Sequence, residues 1–348
     1  MAKSRYKPLL FTTTVRNPER YKYLLKVLLK YDGKILTTSL IDKVVFDLIA
    51  NKLYIPFFVS RTLSLKKQLV FAYEPFSDTD TAKIIRNSPQ NHKEAGFEKG
   101  WASRFDTFYK FAKELGFVYY EMNKVIEIST AGLKLANATE AEYSHLEQQI
   151  FLNAFVKYQR NNPFRRVLNA NRPLVLLLQT IEELKKIDPN STGITRLETP
   201  LILCWRDGNA AELASHIKNL RDKYGFKPSN EIVYEACKDL LNITTAGEKQ
   251  FKPNNILNEL PDEFIRKMRM TGLISMRGGG RFIDFNTLET EKIRYVLKRY
   301  TGEIPSFATE RDFYDYMRVI DTNLVTIEAR LITSESTKER LLNLWVDK

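Results

Sequence analysis

The chain has 348 residues, of which 43% are hydrophobic and 28% charged, a composition typical of a globular protein that excludes a disordered or fibrous one. Lysine and arginine number 54 against 42 aspartates and glutamates, so the formal charge is +12 and the sequence pI is near 9.4. This excess suggests a polyanionic partner, most simply nucleic acid, and the alternative is a basic but solvated surface.

The two cysteines, Cys204 and Cys237, exclude a disulfide framework, and the absence of a CxxC pair argues against a thiolate zinc site. The apolar run from Leu9 to Phe11 is too short for a signal peptide. The longest aliphatic run, Leu174 to Leu178, is far shorter than a membrane span. We therefore expect a soluble, cytoplasmic protein with no membrane partner.

The first segment predicts a helix that begins at Asn17-Pro18 and continues through leucines at helical spacing to Leu29. Arg16 and Arg20 flank its start. The default interpretation is that this stretch caps the helix, and the alternative is that the helix N-terminus and its arginines bind a phosphate group. A second amphipathic stretch covers residues 40–53. Residues 74–100 predict a long loop with room for one short helix.

The clearest local pattern is a helix, a glycine, a β-hairpin and a further helix. Residues 103–115 predict a helix that Gly116 ends, followed by strands at 117–120 and 125–128. The same outline recurs at 262–271, where Gly272 ends the helix and strands follow at 273–276 and 281–285. This order is typical of a winged-helix unit, in which the helix before the hairpin can enter a major groove.

These patterns predict a mainly α protein with small β-hairpins, an α+β fold of two winged-helix-like subdomains joined by helices. The predicted domains are a first DNA-recognition subdomain at residues 1–145, a second at 146–300, and a helical linker or tail at 301–348.

Basic side chains cluster on both outlines. Three glycines between Arg277 and Arg281 would let backbone amides approach a phosphate closely, and an exposed hairpin with incidental arginines is the alternative. For the basic residues on the helix at 103–115, the alternative to DNA contact is that they form the solvated face of an amphipathic helix. We predict base-edge contacts from Arg104, Lys110 and Lys113, and phosphate contacts from Arg16, Arg20, Arg277 and Arg281. The full predicted DNA-binding set is Arg16, Arg20, Arg104, Lys110, Lys113, Lys124, Arg266, Lys267, Arg269, Arg277 and Arg281.

No catalytic centre can be recognised. The three histidines lack ligand spacing, and no GxSxG elbow is present. A magnesium-dependent nuclease needs an acid on one strand and Glu/Asp-x-Lys on the next. Only residues 183–185 and 32–34 have the acid-x-Lys spacing, and they lie inside a helix pattern and at a helix end. We predict no catalytic residue, no metal ligand and no cofactor in this chain.

The order of elements from about Lys7 to Arg340 resembles the AlwI-type family of type IIS restriction and nicking endonucleases. The segments that carry the resemblance are TTTVRNPERYKY at 12–23, residues 102–136, FLNAFVKYQRNNP at 151–163, GITRLETPLIL at 193–203 and residues 262–284. Their order and spacing together, rather than any single stretch, make the match.

The resemblance implies an N-terminal DNA-recognition region of winged-helix-like subdomains, a linker and a C-terminal magnesium-dependent nuclease domain that cuts at a fixed distance from a short asymmetric site. The chain departs from the family because the nuclease motif is missing, so no catalytic residue carries over. We expect either a truncated product or a separate recognition subunit that acts with a nuclease partner, and magnesium only on that partner or domain. The hypotheses left open are a winged-helix transcriptional regulator, a complete small nuclease with an unrecognised centre, and an interaction scaffold.

Overall fold

The computed structural model describes residues 5–11, 15–70, 74–189, 191–243 and 251–325. Within them the chain forms two compact units: the first contains 15–147 and 318–320, and the second contains 5–11, 148–317 and 321–325. The fold is mainly helical with two small sheets, as the α+β prediction required. None of the helices in the described part of the chain is long and apolar enough to span a membrane.

The first unit begins with the predicted amphipathic helices. The side chain of Asn17 accepts a hydrogen bond from the Glu19 backbone N–H at 3.0 Å, just before the first helix. In the second helix, the side chain of Thr37 accepts from the N–H of Leu40, which satisfies one of the free donors at a helix start. The helices are α1 (Arg20–Leu29), α2 (Thr38–Ala50), α3 (Phe57–Arg61), α4 (Leu63–Gln68), α5 (Asp78–Arg86), α6 (Trp101–Glu114) and α7 (Thr130–Asn137).

A small hairpin follows α6, with antiparallel strands β1 (Val118–Tyr119) and β2 (Glu127–Ile128). Residues 33–36 pair with the chain that leads into β2: the Leu36 N–H donates to the Lys124 carbonyl at 2.8 Å, and the Ile126 N–H donates to the Lys34 carbonyl at 2.9 Å. The segment between α1 and α2 therefore adds a third, strand-like edge to the hairpin.

The second unit repeats this order of elements on a larger scale. Its strands β3 (Ile194–Thr195), β4 (Ile274–Arg277) and β5 (Phe282–Phe285) form an antiparallel sheet in the order β3-β5-β4. The boundary between the units falls after Glu147, inside the first helix of the remaining series. These helices are α8 (His145–Lys157), α9 (Pro173–Ile187), α10 (Thr199–Cys204), α11 (Ala210–Tyr224), α12 (Asn230–Leu241), α13 (Leu260–Arg269), α14 (Thr290–Arg299) and α15 (Glu310–Met317).

The two units share one topology: a helix, a strand-like segment, a second helix, a helical insertion, a third helix, a hairpin and a closing helix. The shared order starts at α1 in the first unit and at α9 in the second. The segment after α1 pairs with the chain that leads into β2, and β3, after α9, pairs with β5. The insertion runs from Ala50 to Trp101 in the first unit and from Cys204 to Leu260 in the second. The outline predicted from sequence is therefore present twice, with an additional pairing segment each time.

A buried ion pair fixes β3 against α11. The Arg221 guanidinium donates to both carboxylate oxygens of Glu198 at 2.7 Å, and the two side chains are only 3% and 2% exposed. The same guanidinium donates to the Gly193 carbonyl at 2.6 Å, and the Thr195 N–H donates to Glu198 at 2.7 Å. These contacts hold the edge of the sheet that lies next to the hairpin strand β5.

Segment 5–11, which sequence analysis assigned to the first subdomain, packs in the second unit. The Leu9 N–H donates to the Leu203 carbonyl at 2.8 Å, and the Lys7 N–H donates to the Asn169 side chain at 2.9 Å. Helix α15 also lies in the second unit rather than in a separate tail. Residues 326–348 of the predicted tail lie outside the described part of the chain.

Candidate nucleic-acid interface

Helix α13 presents a row of exposed side chains on the face opposite its core contacts. Phe264, Ile265 and Met268 are buried, whereas Arg266 and Arg269 are exposed. These arginines are three residues apart, so they share one face of the helix. Neither forms an ion pair with another described residue, and both guanidinium groups can therefore reach a ligand.

The hairpin after α13 carries the second exposed group of arginines. Its turn contains Gly278, Gly279 and Gly280, with φ values of +59°, +67° and +87°, a left-handed conformation that strains other L-residues. The Arg281 side chain is exposed beside this turn and pairs with no described carboxylate. A turn without side chains leaves room for a phosphate to approach the backbone.

Arg277, on the other side of the turn, has a structural partner. Its Nε lies 3.4 Å from Asp284, and a terminal nitrogen donates to the Phe285 carbonyl at 3.3 Å. Lys185 also donates to Asp284, at 2.6 Å. Arg277 is nonetheless exposed, so it could exchange this pair for a phosphate at a modest cost.

In the first unit, the helix before the hairpin is buried around most of its circumference. Arg104 is half-buried, donates to the Gln90 side chain at 2.9 Å and lies over the Tyr54 ring. Lys110 is exposed and binds Glu94 at 3.1 Å. Burial alone would raise the pKa of Glu94, but hydrogen bonds from Lys110 and His92 lower it. Two of the three predicted base-contact residues, Arg104 and Lys110, are thus already engaged within the unit.

Two lysines of the predicted DNA-binding set lie in the interior. Lys113 is 7% exposed, with its ammonium group 4.6 Å from the centre of the Tyr119 ring. Lys267 is fully buried on the inner face of α13, 5.1 Å from the Phe11 ring. Burial therefore removes both from the surface that a duplex could contact, because an ammonium group inside the core cannot meet a base edge or phosphate. The helical periodicity of the sequence did not reveal this.

The remaining predicted residues lie in the first unit. Arg16 is exposed and pairs with no described acid. Arg20 donates to the Leu53 carbonyl, and burial lowers its pKa. Lys124 is exposed on the hairpin turn and pairs with Glu121. The structure thus leaves Arg16, Arg266, Arg269 and Arg281 as the members of the predicted set that are exposed and make no ion pair within the described residues.

Sequence analysis missed a small cationic cavity of about 160 Å³ in the second unit. Lys7, Arg160 and Arg165 line it, although Lys7 is far from the two arginines in the sequence. The only local signal is the density of arginine and asparagine between Lys157 and Arg172. Helical periodicity places these arginines and asparagines at the end of an amphipathic helix. No pattern in the nearby sequence indicates that the segment at 5–11 closes the cavity.

A larger cavity of about 770 Å³ lies between α11 and α12 and has the opposite charge. Glu212, Glu231, Glu235 and Asp239 contribute to its lining, against the cations Arg206 and Lys223. An acidic lining repels a polyanion, so this cavity does not belong to a nucleic-acid interface. No group of three or more acidic, histidine or cysteine side chains is positioned to hold a metal ion among the described residues.

An exposed arginine row on a helix, an arginine-flanked hairpin and a charge of +12 are features typical of proteins that bind nucleic acids. The chain belongs to the AlwI restriction endonuclease family, whose model matches residues 113–343. This match confirms the family predicted from the sequence. A comparison with curated proteins finds no match.

Among solved structures, the chain is similar to the BpuJ1 endonuclease binding domain, crystallised with pyrene- and phenanthrene-modified DNA. The identity is 16%, and the alignment covers 69% of this chain and 84% of that chain. The TM-score of 0.43 is too low to establish a shared fold.

Proposed function

We propose that this chain binds duplex DNA sequence-specifically, as the recognition region of a type IIS restriction endonuclease. The observation that carries the proposal is the outward row of Arg266 and Arg269 on α13, directly before an arginine-bearing hairpin. In this proposal both units are winged-helix-like, and α13 is the helix that enters the major groove. The family membership supports DNA as the partner.

The proposed roles of the individual arginines follow from their exposure and from the chemistry of the guanidinium group. In this proposal Arg266 and Arg269 contact base edges, where an arginine fork pairs best with guanine. Arg281, with Arg277 after release of Asp284, binds the phosphate backbone beside the groove. The first unit contributes backbone contacts through Arg16, because its helix α6 is engaged in its own core.

The test is selection of bound duplexes from a pool with randomised central positions, followed by affinity measurements on the recovered sequence. We expect one short asymmetric site. Arg266→Gln and Arg269→Gln should each weaken binding by about 1–3 kcal/mol and relax the preference at one base pair. Arg294→Gln is the matched control, since Arg294 is an exposed arginine on α14 that pairs with Glu291 at 2.7 Å.

Three results would contradict the proposal. A symmetric, repeated site bound by a dimer favours a transcriptional regulator. Failure to bind any duplex at low salt removes DNA as the partner. Nicking of a plasmid by the pure chain with Mg²⁺, abolished by substituting one specific acid, would make it a complete nuclease rather than a recognition region.

A further inference from the structure

The cationic cavity in the second unit is built by two segments that are distant in the sequence. Residues 7–10 form one wall and the turn at 158–167 forms the other. The Lys7 N–H donates to the Asn169 side chain, and the Leu168 N–H donates to the Arg5 carbonyl at 3.1 Å. Both segments are therefore fixed by directed hydrogen bonds, and the cavity has a defined shape.

The turn that carries Arg165 is also held rigidly. The Asn162 side chain accepts from the Phe164 N–H at 3.0 Å, and its backbone carbonyl accepts from the N–H groups of Arg165 and Arg166. Arg166 adopts a left-handed backbone conformation with φ of +51°. This geometry places Arg165 at the cavity, while the exposed Arg166 does not line it.

One of the residues that line the cavity is a buried cation. Arg160 is 2% exposed, donates to the Trp205 carbonyl at 3.0 Å and also donates to the Lys7 carbonyl. Burial lowers the pKa of Arg160 to about 10, so it is charged at neutral pH. Its partners are neutral carbonyls, which leaves its positive charge without a carboxylate among the residues that line the cavity.

The second unit has another buried cation, Lys267 on α13. Burial is the main cause of the lowered pKa of Lys267; the charge of Glu263 opposes this effect, and the charges of Arg266 and Arg165 lower the pKa further. The cavity itself is lined by three cations, Lys7, Arg160 and Arg165, and by no carboxylate, so an anion there is attracted to all three.

We propose that this cavity is an oxyanion site that takes one phosphate group, contacted by Arg165 and Lys7 over the buried charge of Arg160. The volume of about 160 Å³ equals roughly five water volumes at about 30 Å³ each, which is enough room for one tetrahedral phosphate together with bound water. The phosphate comes either from a DNA backbone or from free phosphate in solution. The DNA source rests on the proposed function, whereas the site itself does not.

The first experiment uses inorganic phosphate as the probe. Thermal unfolding of the full chain is followed in sodium phosphate and in sodium chloride at equal ionic strength. We expect the midpoint of the wild type to rise progressively with phosphate concentration. Arg165→Gln should weaken phosphate binding about ten- to a hundredfold, as expected for loss of a charged hydrogen bond. Arg165→Lys should retain part of the effect, and Arg166→Gln, a matched neighbour, should retain all of it.

A second variant guards against misfolding as an explanation. Lys7→Gln, whose circular dichroism should match the wild type, is expected to lose phosphate stabilisation as Arg165→Gln does. Equal phosphate stabilisation in the wild type, Arg165→Gln and Lys7→Gln would overturn the site. So would the absence of any phosphate effect on the wild type beyond that of chloride.

The second experiment separates the two sources with a mixed-sequence 30-base-pair duplex. If DNA supplies the phosphate, Arg165→Gln should lower duplex affinity and make the slope of log K against log salt shallower by about 0.9, the value for one phosphate. If free phosphate is the ligand, Arg165→Gln leaves duplex binding unchanged but still loses phosphate stabilisation. Failure of the wild type to bind any duplex would contradict the proposed function and leave the phosphate result to decide the site.

Discussion

Because Lys267 is a buried charge, it should make the free energy of unfolding depend on pH. Burial, with help from Arg266 and Arg165, lowers its pKa from 10.5 to about 8. Between these two pH values the unfolded chain holds a proton that the folded chain has released. The free energy of unfolding should therefore rise with pH across this window, by up to about 1.4 kcal/mol per pH unit from this group. Below about pH 8 both states are protonated, and the cost of burying the charge is full and constant.

The prediction is that Lys267→Met loses the share of the slope that Lys267 contributes and keeps the rest. Urea unfolding between pH 8.5 and 10 measures it, and methionine keeps the length and volume of the side chain. Lys298→Met, at an exposed position on α14, is the control and should keep the wild-type slope. An unchanged slope in Lys267→Met would show that Lys267 is not buried as a charge. Lys157, whose burial lowers its pKa to about 7, contributes in the same direction in all three proteins.

At the scale of elements, the attachment of β3 to the hairpin depends on a glycine. Gly193 has φ of +93°, and a Cβ there would overlap the Ile283 carbonyl oxygen on β5. We predict that Gly193→Ala destabilises the second unit by about 2–4 kcal/mol, because strain and a backbone clash add together. Gly208→Ala should be close to neutral, since nothing lies within 4 Å of its added Cβ. Urea unfolding of both variants measures the difference, and a Gly193→Ala midpoint equal to that of Gly208→Ala would contradict the prediction.

The buried pair of Arg221 and Glu198 gives a second prediction for the same sheet edge. Arg221→Met leaves a buried carboxylate without its cation, so we expect a loss of about 3–5 kcal/mol in the free energy of unfolding. The double variant Arg221→Met with Glu198→Leu should recover much of that loss, because no unpaired charge remains. Urea unfolding of both variants measures the difference. A double variant as unstable as the single one would mean that the pair stabilises the edge by more than charge compensation.

The local elements could be predicted from sequence, whereas their long-range partners could not. Gly116 and Gly272 both adopt positive φ after their helices, and the alternating residues behind them form the predicted hairpins. The pairing of residues 33–36 with the first hairpin, and of β3 with β5, has no local signal, because each involves only a few residues far along the chain. Strand pairings between segments that are distant in the sequence leave no pattern in either segment alone, so they could not be predicted.

The candidate site was predictable in part for the same reason. The basic residues of α13 were identified from sequence, and Arg266 and Arg269 are indeed exposed. Helical periodicity could not show that Lys113 and Lys267 are buried. An amphipathic pattern indicates which face of a helix is apolar, but it does not show whether other parts of the protein also cover the polar face. The cavity of Lys7, Arg160 and Arg165 was missed because its walls come from distant segments.

For the whole molecule, the charge of +12 predicts binding that weakens steeply with salt. If about six phosphates are neutralised, log K should fall with log salt at a slope near −5. Fluorescence anisotropy of a labelled duplex across a salt series measures it. Arg281→Gln removes one cation from the proposed backbone-binding group, so it should make the slope shallower by about 0.9. A wild-type slope near zero would mean that the positive charge is merely solvated.

The position of residues 5–11 in the second unit has a consequence for biosynthesis. Lys7 and its partner Asn169 are 162 residues apart. At roughly 5–20 residues per second, a ribosome adds the partner about 8–32 seconds after Lys7 has been translated. The early segment must therefore wait, unpaired, while the intervening first unit is synthesised and folds. A fusion partner or chaperone that occupies this stretch during translation would delay maturation of the second unit while leaving that of the first unaffected.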